Sequence, residues 1–306
     1  MKIAFVGAGG VGGYFGGRLA ASGEDVTFLA RGRHLEAIHR EGLAIKSGLG
    51  DLRIFPARAT DDPARVGPVD LVAVAVKNWD GEGAAEIARR LLGPRTEVVS
   101  FQNGVEAADT LARQVGAERV LGGVAYITAS IEEPGVVRHN GSLARLRLGR
   151  FDGRRSEAAE EFVAACGRAG VDAAVSQDIG RDIWEKFVFL TAFSGLTALA
   201  RLPIGPIREN PDTRELLRQA MAEAAAVGRA RGAALREDIV ERHMAFCDGL
   251  PPASVSSMLT DLTHENRLEL PWLSEAVARM GRESGVGTPV HAFIAAILGL
   301  HAAGPA

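Results

Sequence analysis

The sequence predicts an α/β domain over residues 1–177 and an all-helical domain over residues 178–306. Through the first half, short apolar runs alternate with amphipathic stretches. This alternation is typical of a parallel sheet covered by helices on both faces. From about residue 178 the strand signals stop, while helical periodicity continues. A chain of 306 residues is also long enough for two domains.

The predicted strands and helices of the first half follow one another in order. Strands are predicted at Lys2–Val6, Asp25–Ala30, Asp70–Val76, Thr96–Phe101 and Val171–Val175, and helices at Val11–Ser22, His34–Arg40, Gly81–Leu92, Val105–Val115 and Ser156–Ala169. Two stretches break the alternation. Leu43–Phe55 contains two short apolar runs and is predicted to be a small insertion. Gly123–Gly149 is predicted to be an antiparallel hairpin that turns at Asn140-Gly141, because this dipeptide favours the left-handed geometry of a tight turn.

The second half is predicted to be helical throughout. Helices are predicted at Arg181–Leu199, Pro211–Arg231, Glu237–Cys247, Ser254–Glu269, Leu270–Glu283 and Pro289–His301. Ser257 and Glu269 lie twelve residues apart, and an unbroken helix would separate them by about 18 Å. If both contact one small molecule, the chain must bend between them. Asn266 and Pro271 are the residues that would break the helix there.

Composition and charge exclude several classes of protein. The net charge of −3 gives no basic excess, so no nucleic-acid partner is expected. Cys166 and Cys247 form neither a disulfide framework nor a metal cluster, which favours a reducing cytoplasm. The longest charge-poor stretch, Phe187–Ala200, falls short of the roughly 20 residues that cross a bilayer. The apolar run after Lys2 is too short for a signal peptide, so neither export nor a membrane location is expected.

A glycine-rich motif follows the first predicted strand directly and opens the first predicted helix. Its residues are Gly7, Ala8, Gly9, Gly10, Val11 and Gly12. The first glycine of Gly-x-Gly-x-x-Gly permits the tight turn, the second lets the backbone approach a pyrophosphate, and the third lets the helix pack closely on the strand. The N–H groups at the start of the helix then face the phosphates. We therefore expect a Rossmann domain that binds a dinucleotide.

The end of the second strand favours NADP over NAD. NAD-preferring sites usually place Asp or Glu there to hold the ribose 2′-hydroxyl. This chain has Arg31 and Arg33 instead, and a guanidinium can hold a 2′-phosphate with two parallel hydrogen bonds. Arg31 is the first candidate, and it is open whether Arg33 joins it. The alternative is that both arginines are solvated turn residues.

Polar residues follow two further strands of the predicted sheet. Lys77 comes after Leu71–Val76, and Asn103 comes after Val98–Phe101. Ligands of open parallel sheets collect beyond the carboxyl ends of the strands, so both are candidate binding residues. Each could also be an ordinary loop residue, Lys77 at a helix entry and Asn103 in a turn.

The first helix of the second half carries an unusual stripe. Lys186, Leu190 and Ser194 recur every four residues and therefore share one helical face. A lysine at the head of an otherwise apolar or small-residue face is unusual for a purely packed face, so Lys186 is a candidate functional residue. The alternative is a lysine with a buried stem whose ammonium reaches water.

Taken together, these motifs resemble those of the ketopantoate reductase (2-dehydropantoate 2-reductase) family over nearly the whole chain. The matching elements are Gly7-x-Gly9-x-x-Gly12, Arg31, Lys77, Gln102-Asn103-Gly104, Pro134-Gly135 with His139 and Gly141, Trp184-x-Lys186-Phe187, Leu196-Thr197-Ala198, and Ser256-Ser257-Met258-Leu259 followed by Glu269. The resemblance implies a cytoplasmic enzyme that reduces 2-dehydropantoate to (R)-pantoate with NADPH, on the pathway to pantothenate and coenzyme A.

The resemblance also implies a role for each matching residue. Lys186 would be the proton donor to the keto oxygen, and Glu269 would bind and orient the substrate. Asn103 and Lys77 would hold cofactor and substrate, and Ser257 would contact the substrate.

Two substrate positions depart from the family pattern. Leu190 and Ser194 stand where members acting on ketopantoate usually carry asparagines, so a more apolar 2-oxo acid is an alternative substrate. A β-hydroxyacid or opine type of dehydrogenase and a non-catalytic NADP-binding sensor are further alternatives. The apolar stripes of the helical domain would suffice for a homodimer, although core packing explains them equally well.

Overall fold

In the computed structural model, which describes residues 1–304, the apolar runs of the first half become strands of one sheet. The strands are β1 (Lys2–Val6), β2 (Asp25–Leu29), β3 (Leu43–Ser47), β4 (Leu52–Ile54), β5 (Ala59–Thr60), β6 (Leu71–Val74), β7 (Glu97–Ser100), β8 (Val120–Glu133), β9 (Val136–Gly149) and β10 (Asp172–Val175). The helices of this half are α1 (Gly10–Ala21), α2 (Gly32–Glu41), α3 (Gly81–Arg90), α4 (Ala107–Val115) and α5 (Glu157–Arg168).

The strand order is β4-β3-β9-β8-β7-β6-β1-β2-β5, with β10 paired to β9. From β8 through β5 every neighbouring pair is parallel, as the alternating pattern predicts. β1 lies between β2 and β6, so the glycine-rich loop leaves the carboxyl end of a central strand.

Alternate residues of β1 face two different apolar layers. Ile3 and Phe5 belong to a core that includes Phe15 of α1 and Phe162 of α5. The neighbouring β1 residues Ala4 and Val6 face a second core, formed with α3 and α4. A period of two with both faces apolar is the signature of a strand buried between helix layers. The predicted α/β fold of this half is confirmed.

The hairpin prediction was right in its pairing and wrong in its turn. β8 and β9 are antiparallel, but the chain reverses at Pro134-Gly135. Gly135 has a φ of +81°, which suits a turn with proline before it. Asn140-Gly141 instead lies within β9, where the register runs from Thr128↔Asn140 to Ile127↔Ala144 and leaves the three residues 141–143 of β9 as a bulge.

The segment expected to be an insertion extends the sheet. β3 and β4 form an antiparallel pair within Leu43–Phe55, and β3 runs parallel to β9. The short strand β5, which pairs with β2, was not predicted because it is only two residues long.

The second half of the described chain is helical. Its helices are α6 (Ile179–Ala200), α7 (Ile204–Glu209), α8 (Pro211–Ala230), α9 (Ile239–Gly249), α10 (Ser257–Thr263), α11 (Ser274–Ser284) and α12 (Pro289–Leu298). They surround a core of their own, which takes Val188 and Ala192 from α6 and Met221 and Ala224 from α8. The all-helical prediction is confirmed.

The predicted bend before Glu269 is present. α10 ends at Thr263, and Glu265 adopts a φ of +58°. Pro271 then lies inside a 3₁₀ turn, Leu270–Trp272, and α11 starts only at Ser274. Both predicted helices in this region are therefore shorter than expected, because the left-handed residue and the proline interrupt them.

Helix α6 passes the length and composition test for a membrane span. It has 22 residues, and 56% of its most apolar window is buried inside the protein. Its buried residues belong to the core of the helical half, which accounts for the apolar character. One such helix is weak evidence for a membrane span.

By contacts the chain divides into two units. The first comprises Met1–Gln102 and Glu106–Ile179, and the second comprises Asn103–Val105 and the chain from Gly180 onward. The short segment after β7 that carries Asn103 thus groups with the helices.

Candidate active site

The glycine-rich loop has the geometry of a phosphate-binding junction. Gly7 follows β1 with a φ of +103°, and its N–H donates to the carbonyl of Leu29 at 2.9 Å. Gly9 is the N-cap of α1, and within the described chain no side chain caps this helix. The first N–H groups of an α-helix lack intrahelical partners. The start of α1 therefore offers donors and a partial positive charge to an anion.

Arg31 lies two residues after the end of β2, at the N-cap of α2. Its side chain is 80% exposed, and its guanidinium contacts both carboxylate oxygens of Asp80, at 2.8 and 2.9 Å. Arg33 is exposed on the first turn of the same helix. Asp80 was not predicted, because no sequence pattern links it to a residue 49 positions away.

Lys77 precedes a 3₁₀ turn, Asn78–Asp80, beyond the end of β6. Its ammonium lies 5.6 Å from the centre of the Trp79 ring. Its backbone carbonyl accepts from the side-chain amide of Gln102 at 3.5 Å, which ties the ends of β6 and β7 together.

In the helical unit, three predicted residues come together. The Lys186 ammonium donates to Oδ1 of Asn103 at 2.9 Å. The amide nitrogen of Asn103 donates to Oε2 of Glu269 at 3.4 Å. Asn103 therefore bridges the two charged groups, and we call these three residues the Lys–Asn–Glu cluster.

Each member of the cluster is carried by a different backbone element. Lys186 lies in the long helix α6, and Glu269 is the N-cap of the 3₁₀ turn before α11. Glu269 is only 6% exposed, and the backbone on both sides of it is hydrogen-bonded, Leu268 to Ala302 and Trp272 to Glu269 itself. These hydrogen bonds hold the backbone that carries the Glu269 side chain in place.

The environment of Lys186 suits a proton donor. Burial lowers the pKa of its ammonium to about 8, and the charge of Glu269 opposes that shift. Desolvation disfavours the charged form, while a nearby carboxylate favours it. A group that can both hold and release its proton near neutral pH matches the requirement of general acid catalysis.

The other predicted substrate residues are placed differently. Leu190, one turn after Lys186, is half-buried. Ser194 is fully buried, and its hydroxyl donates to the carbonyl of Thr191 at 3.5 Å. Ser257 is exposed at the start of α10. Substrate contact at these three positions stays a prediction.

A buried hydroxyl pair ties α6 to the start of α10. The hydroxyls of Thr197 and Ser256 share a hydrogen bond of 2.7 Å, and the Ser256 oxygen also accepts from the N–H of Leu259 as the N-cap of α10. Sequence reasoning assigned no role to either residue, because their contact spans 59 positions. The pair fixes the residue before Ser257 against the helix that carries Lys186.

Replacing Thr197 with valine is expected to lower the free energy of unfolding by about 1–3 kcal/mol, because it leaves a buried hydroxyl of Ser256 without this partner. Thr191→Val is the matched control, since Thr191 is equally buried on α6 but bonds only the carbonyl of Phe187. Urea unfolding measures the free energy of unfolding of both variants. Equal loss in the two variants would contradict a special role for the pair.

The fold and these two sets of residues define a class. A strand, a glycine-rich loop and an uncapped helix start lie in one unit, and a half-buried lysine with an amide and a carboxylate lies in the other. The first has the geometry expected of a dinucleotide-binding junction, and the second has the groups that proton transfer to a carbonyl requires. The protein is an oxidoreductase that uses a pyridine nucleotide.

Comparisons with known proteins identify the family. Residues 3–153 match the family described as ketopantoate reductase PanE/ApbA, and residues 178–302 match its C-terminal counterpart. The chain is 32% identical to a 2-dehydropantoate 2-reductase of Halobacterium salinarum over 95% of both chains. It is 32% identical to the enzyme of the same name in Mesorhizobium japonicum over 94% of both.

A solved structure agrees with these matches. The crystal structure of 2-dehydropantoate 2-reductase from Geobacter metallireducens is 35% identical and superimposes with a TM-score of 0.91, covering 98% of this chain and 99% of that one. The chain belongs to the ketopantoate reductase family, as its motifs predict.

Proposed function

We propose that the protein reduces 2-dehydropantoate to (R)-pantoate with NADPH, a step towards pantothenate and coenzyme A. The observation that carries this proposal is the Lys–Asn–Glu cluster, in which Lys186, Asn103 and Glu269 meet. The names of relatives about 30% identical support the same substrate. We assign the binding of cofactor to residues 1–177 and of substrate to residues 178–306.

The roles within the cluster follow from its chemistry. Lys186 donates a proton from Nζ to the keto oxygen of the substrate while a hydride reaches the keto carbon, so the carbonyl becomes an alcohol. Its positive charge stabilises the negative charge that develops on that oxygen. Asn103 orients the ammonium, and Glu269 raises the pKa of Lys186 and binds the substrate. Leu190, Ser194 and Ser257 are proposed to line the substrate site.

The residues of the first unit fit a dinucleotide. A Cβ added to Gly9 would meet no atom within 4 Å, so open space lies where a pyrophosphate must approach. Residues 7–12 would hold the pyrophosphate with their N–H groups, and Arg31 would hold the 2′-phosphate that distinguishes NADPH. Lys77 and Asn103 complete the proposed cofactor contacts. When bound, NADPH supplies the hydride.

A cytoplasmic location is part of the proposal. Both cysteines are free and buried, and burial raises the pKa of Cys166 and of Cys247 to about 12. Such thiols are inert, as expected for a protein that keeps its cysteines reduced. Among residues 1–304, no group of three or more His, Cys, Asp or Glu side chains could hold a metal ion.

One observation favours a second candidate substrate. Leu190 offers an apolar, half-buried side chain on the same face of α6 as Lys186, where the family pattern has an amide. A substrate hydroxyl placed against it would lose a hydrogen bond, at a cost of about 1–3 kcal/mol. A 2-oxo acid with a more apolar side chain is therefore the alternative.

The test follows the absorbance of NADPH with ketopantoate, smaller 2-oxo acids and bulkier apolar 2-oxo acids, and repeats it with NADH. We expect the highest kcat/KM for ketopantoate with NADPH. Arg31→Ala should raise the KM for NADPH about tenfold and leave the KM for NADH unchanged, since only NADPH carries the 2′-phosphate. Turnover of apolar oxo acids alone would replace the substrate, and binding without turnover would indicate a sensor.

A further inference from the structure

His34 connects the glycine-rich loop to the hairpin turn. Its Nε2 lies 2.9 Å from the carbonyl oxygen of Ala8, and the N–H of Gly135 donates to its Nδ1 at 3.0 Å. A backbone N–H can only donate, so Nδ1 must be the acceptor and Nε2 must carry the proton. Burial lowers the pKa of the ring, which agrees with this neutral tautomer. Each ring nitrogen of His34 therefore has its own hydrogen-bond partner.

The hydrogen bond from His34 to the carbonyl of Ala8 also determines the orientation of the neighbouring N–H group. The carbonyl of Ala8 and the N–H of Gly9 belong to the same planar trans peptide, in which they point in opposite directions. Holding the oxygen of Ala8 therefore sets the direction of the Gly9 N–H. Gly9 is the N-cap of α1, where such an N–H faces an anion.

Gly135, the second hydrogen-bond partner of His34, is itself held in place by β3 and α2. The carbonyl of Gly135 accepts from the N–H of Ala44 in β3 at 2.9 Å. A Cβ on Gly135 would lie 3.2 Å from Cβ of Ala37, so this turn packs closely on α2. His34 is thereby fixed from the side opposite the loop.

We propose that His34 is a positioning residue for cofactor binding, which holds the Ala8–Gly9 peptide so that the Gly9 N–H faces the pyrophosphate of the nucleotide. The inference rests on the proposed function, because it assumes that residues 7–12 bind this pyrophosphate. It assigns a task to a side chain that lies outside the glycine-rich motif and outside the Lys–Asn–Glu cluster.

The test measures the Kd of the full-length protein for NADPH and for NADH by nucleotide fluorescence, together with thermal melting. His34→Ala should raise both Kd values about tenfold, because both nucleotides carry the pyrophosphate. His39→Ala is the matched control. His39 lies on the same helix and bonds one backbone carbonyl, that of Ala59, through its Nε2 at 2.7 Å. This control should bind both nucleotides like the wild type.

Two further variants, each of which can keep only one of the two hydrogen bonds of His34, separate a positioning role from a merely structural one. His34→Gln can place an amide N–H where Nε2 lies and keep the bond to Ala8, whereas His34→Asn can place an oxygen where Nδ1 lies and keep only the bond to Gly135. We expect Gln to restore most of the affinity and Asn to restore little, even if both melt alike. Equal Kd values for Gln and Asn, or wild-type affinity in His34→Ala, would overturn the inference while the proposed function stands. Failure of the wild type to bind either nucleotide would overturn both.

Discussion

Replacement of Lys186 with alanine is expected to lower kcat for oxo-acid reduction by about 100-fold or more, which is the typical contribution of a positioned general acid. The ammonium is held by Asn103 at 2.9 Å, and no other lysine lies on α6. The Kd for NADPH should change little, since the residues proposed to bind the pyrophosphate are elsewhere in the chain. Steady-state kinetics and nucleotide titration measure the two quantities separately.

Lys46→Ala is the control for this variant. Lys46 is an exposed lysine that forms an ion pair with Glu132 at 2.7 Å, and such surface pairs contribute little. Its loss should leave kcat unchanged. Unaltered turnover in Lys186→Ala would exclude Lys186 as the proton donor.

The direction in which turnover changes with pH tests the same assignment of Lys186 as the proton donor. The acid must be protonated to act, and burial lowers the pKa of Lys186 to about 8. Turnover should therefore be highest below this pKa and should fall as the pH rises through it. Because Glu269 raises the pKa of Lys186, Glu269→Gln should move the falling limb to lower pH. A profile that rises above pH 8 would contradict the role of Lys186 as the acid.

The hairpin turn was predicted at Asn140-Gly141 but lies at Pro134-Gly135, which shows what local sequence preferences can and cannot predict. Both Gly135 and Gly141 adopt left-handed backbone, with φ of +81° and +82°, so each dipeptide fulfils its local preference. What selects Gly135 for the chain reversal is contact with distant residues, His34 and Ala44, which bind its N–H and its carbonyl. Local conformation identifies candidate turns, but long-range contacts decide which of them reverses the chain.

The same distinction applies to the candidate active site. Lys186 stands out in the sequence, because a charge heads an otherwise apolar helical face, and Glu269 and Asn103 are singled out by motifs. Their meeting in space is tertiary, since Asn103 and Glu269 are 166 positions apart. Thr197, Ser256 and His34 act through hydrogen bonds to residues 26 to 101 positions away. No periodicity or local motif encodes such pairs.

Two single-methyl substitutions in the glycine-rich loop are both expected to weaken nucleotide binding, but only one of them is expected to destabilise the fold. A Cβ on Gly12 would lie 2.0 Å from the carbonyl oxygen of Gly7 and 3.2 Å from Cβ of Ala75. The first contact is with backbone, which cannot rotate away. Gly12→Ala should therefore destabilise the protein by about 1–3 kcal/mol or more, and displacement of α1 should also impair nucleotide binding.

Gly9→Ala adds the same methyl group to open space. No atom lies within 4 Å of its Cβ, and its φ of −72° is accessible to alanine, so the melting temperature should stay that of the wild type. The methyl group would nevertheless occupy the space proposed for the pyrophosphate, and the Kd for NADPH should rise at least about tenfold. Thermal melting and fluorescence titration of both variants give the comparison. Because Gly9→Ala perturbs no protein contact, unchanged affinity in this variant would mean that the pyrophosphate does not approach Gly9 and that the loop serves packing alone.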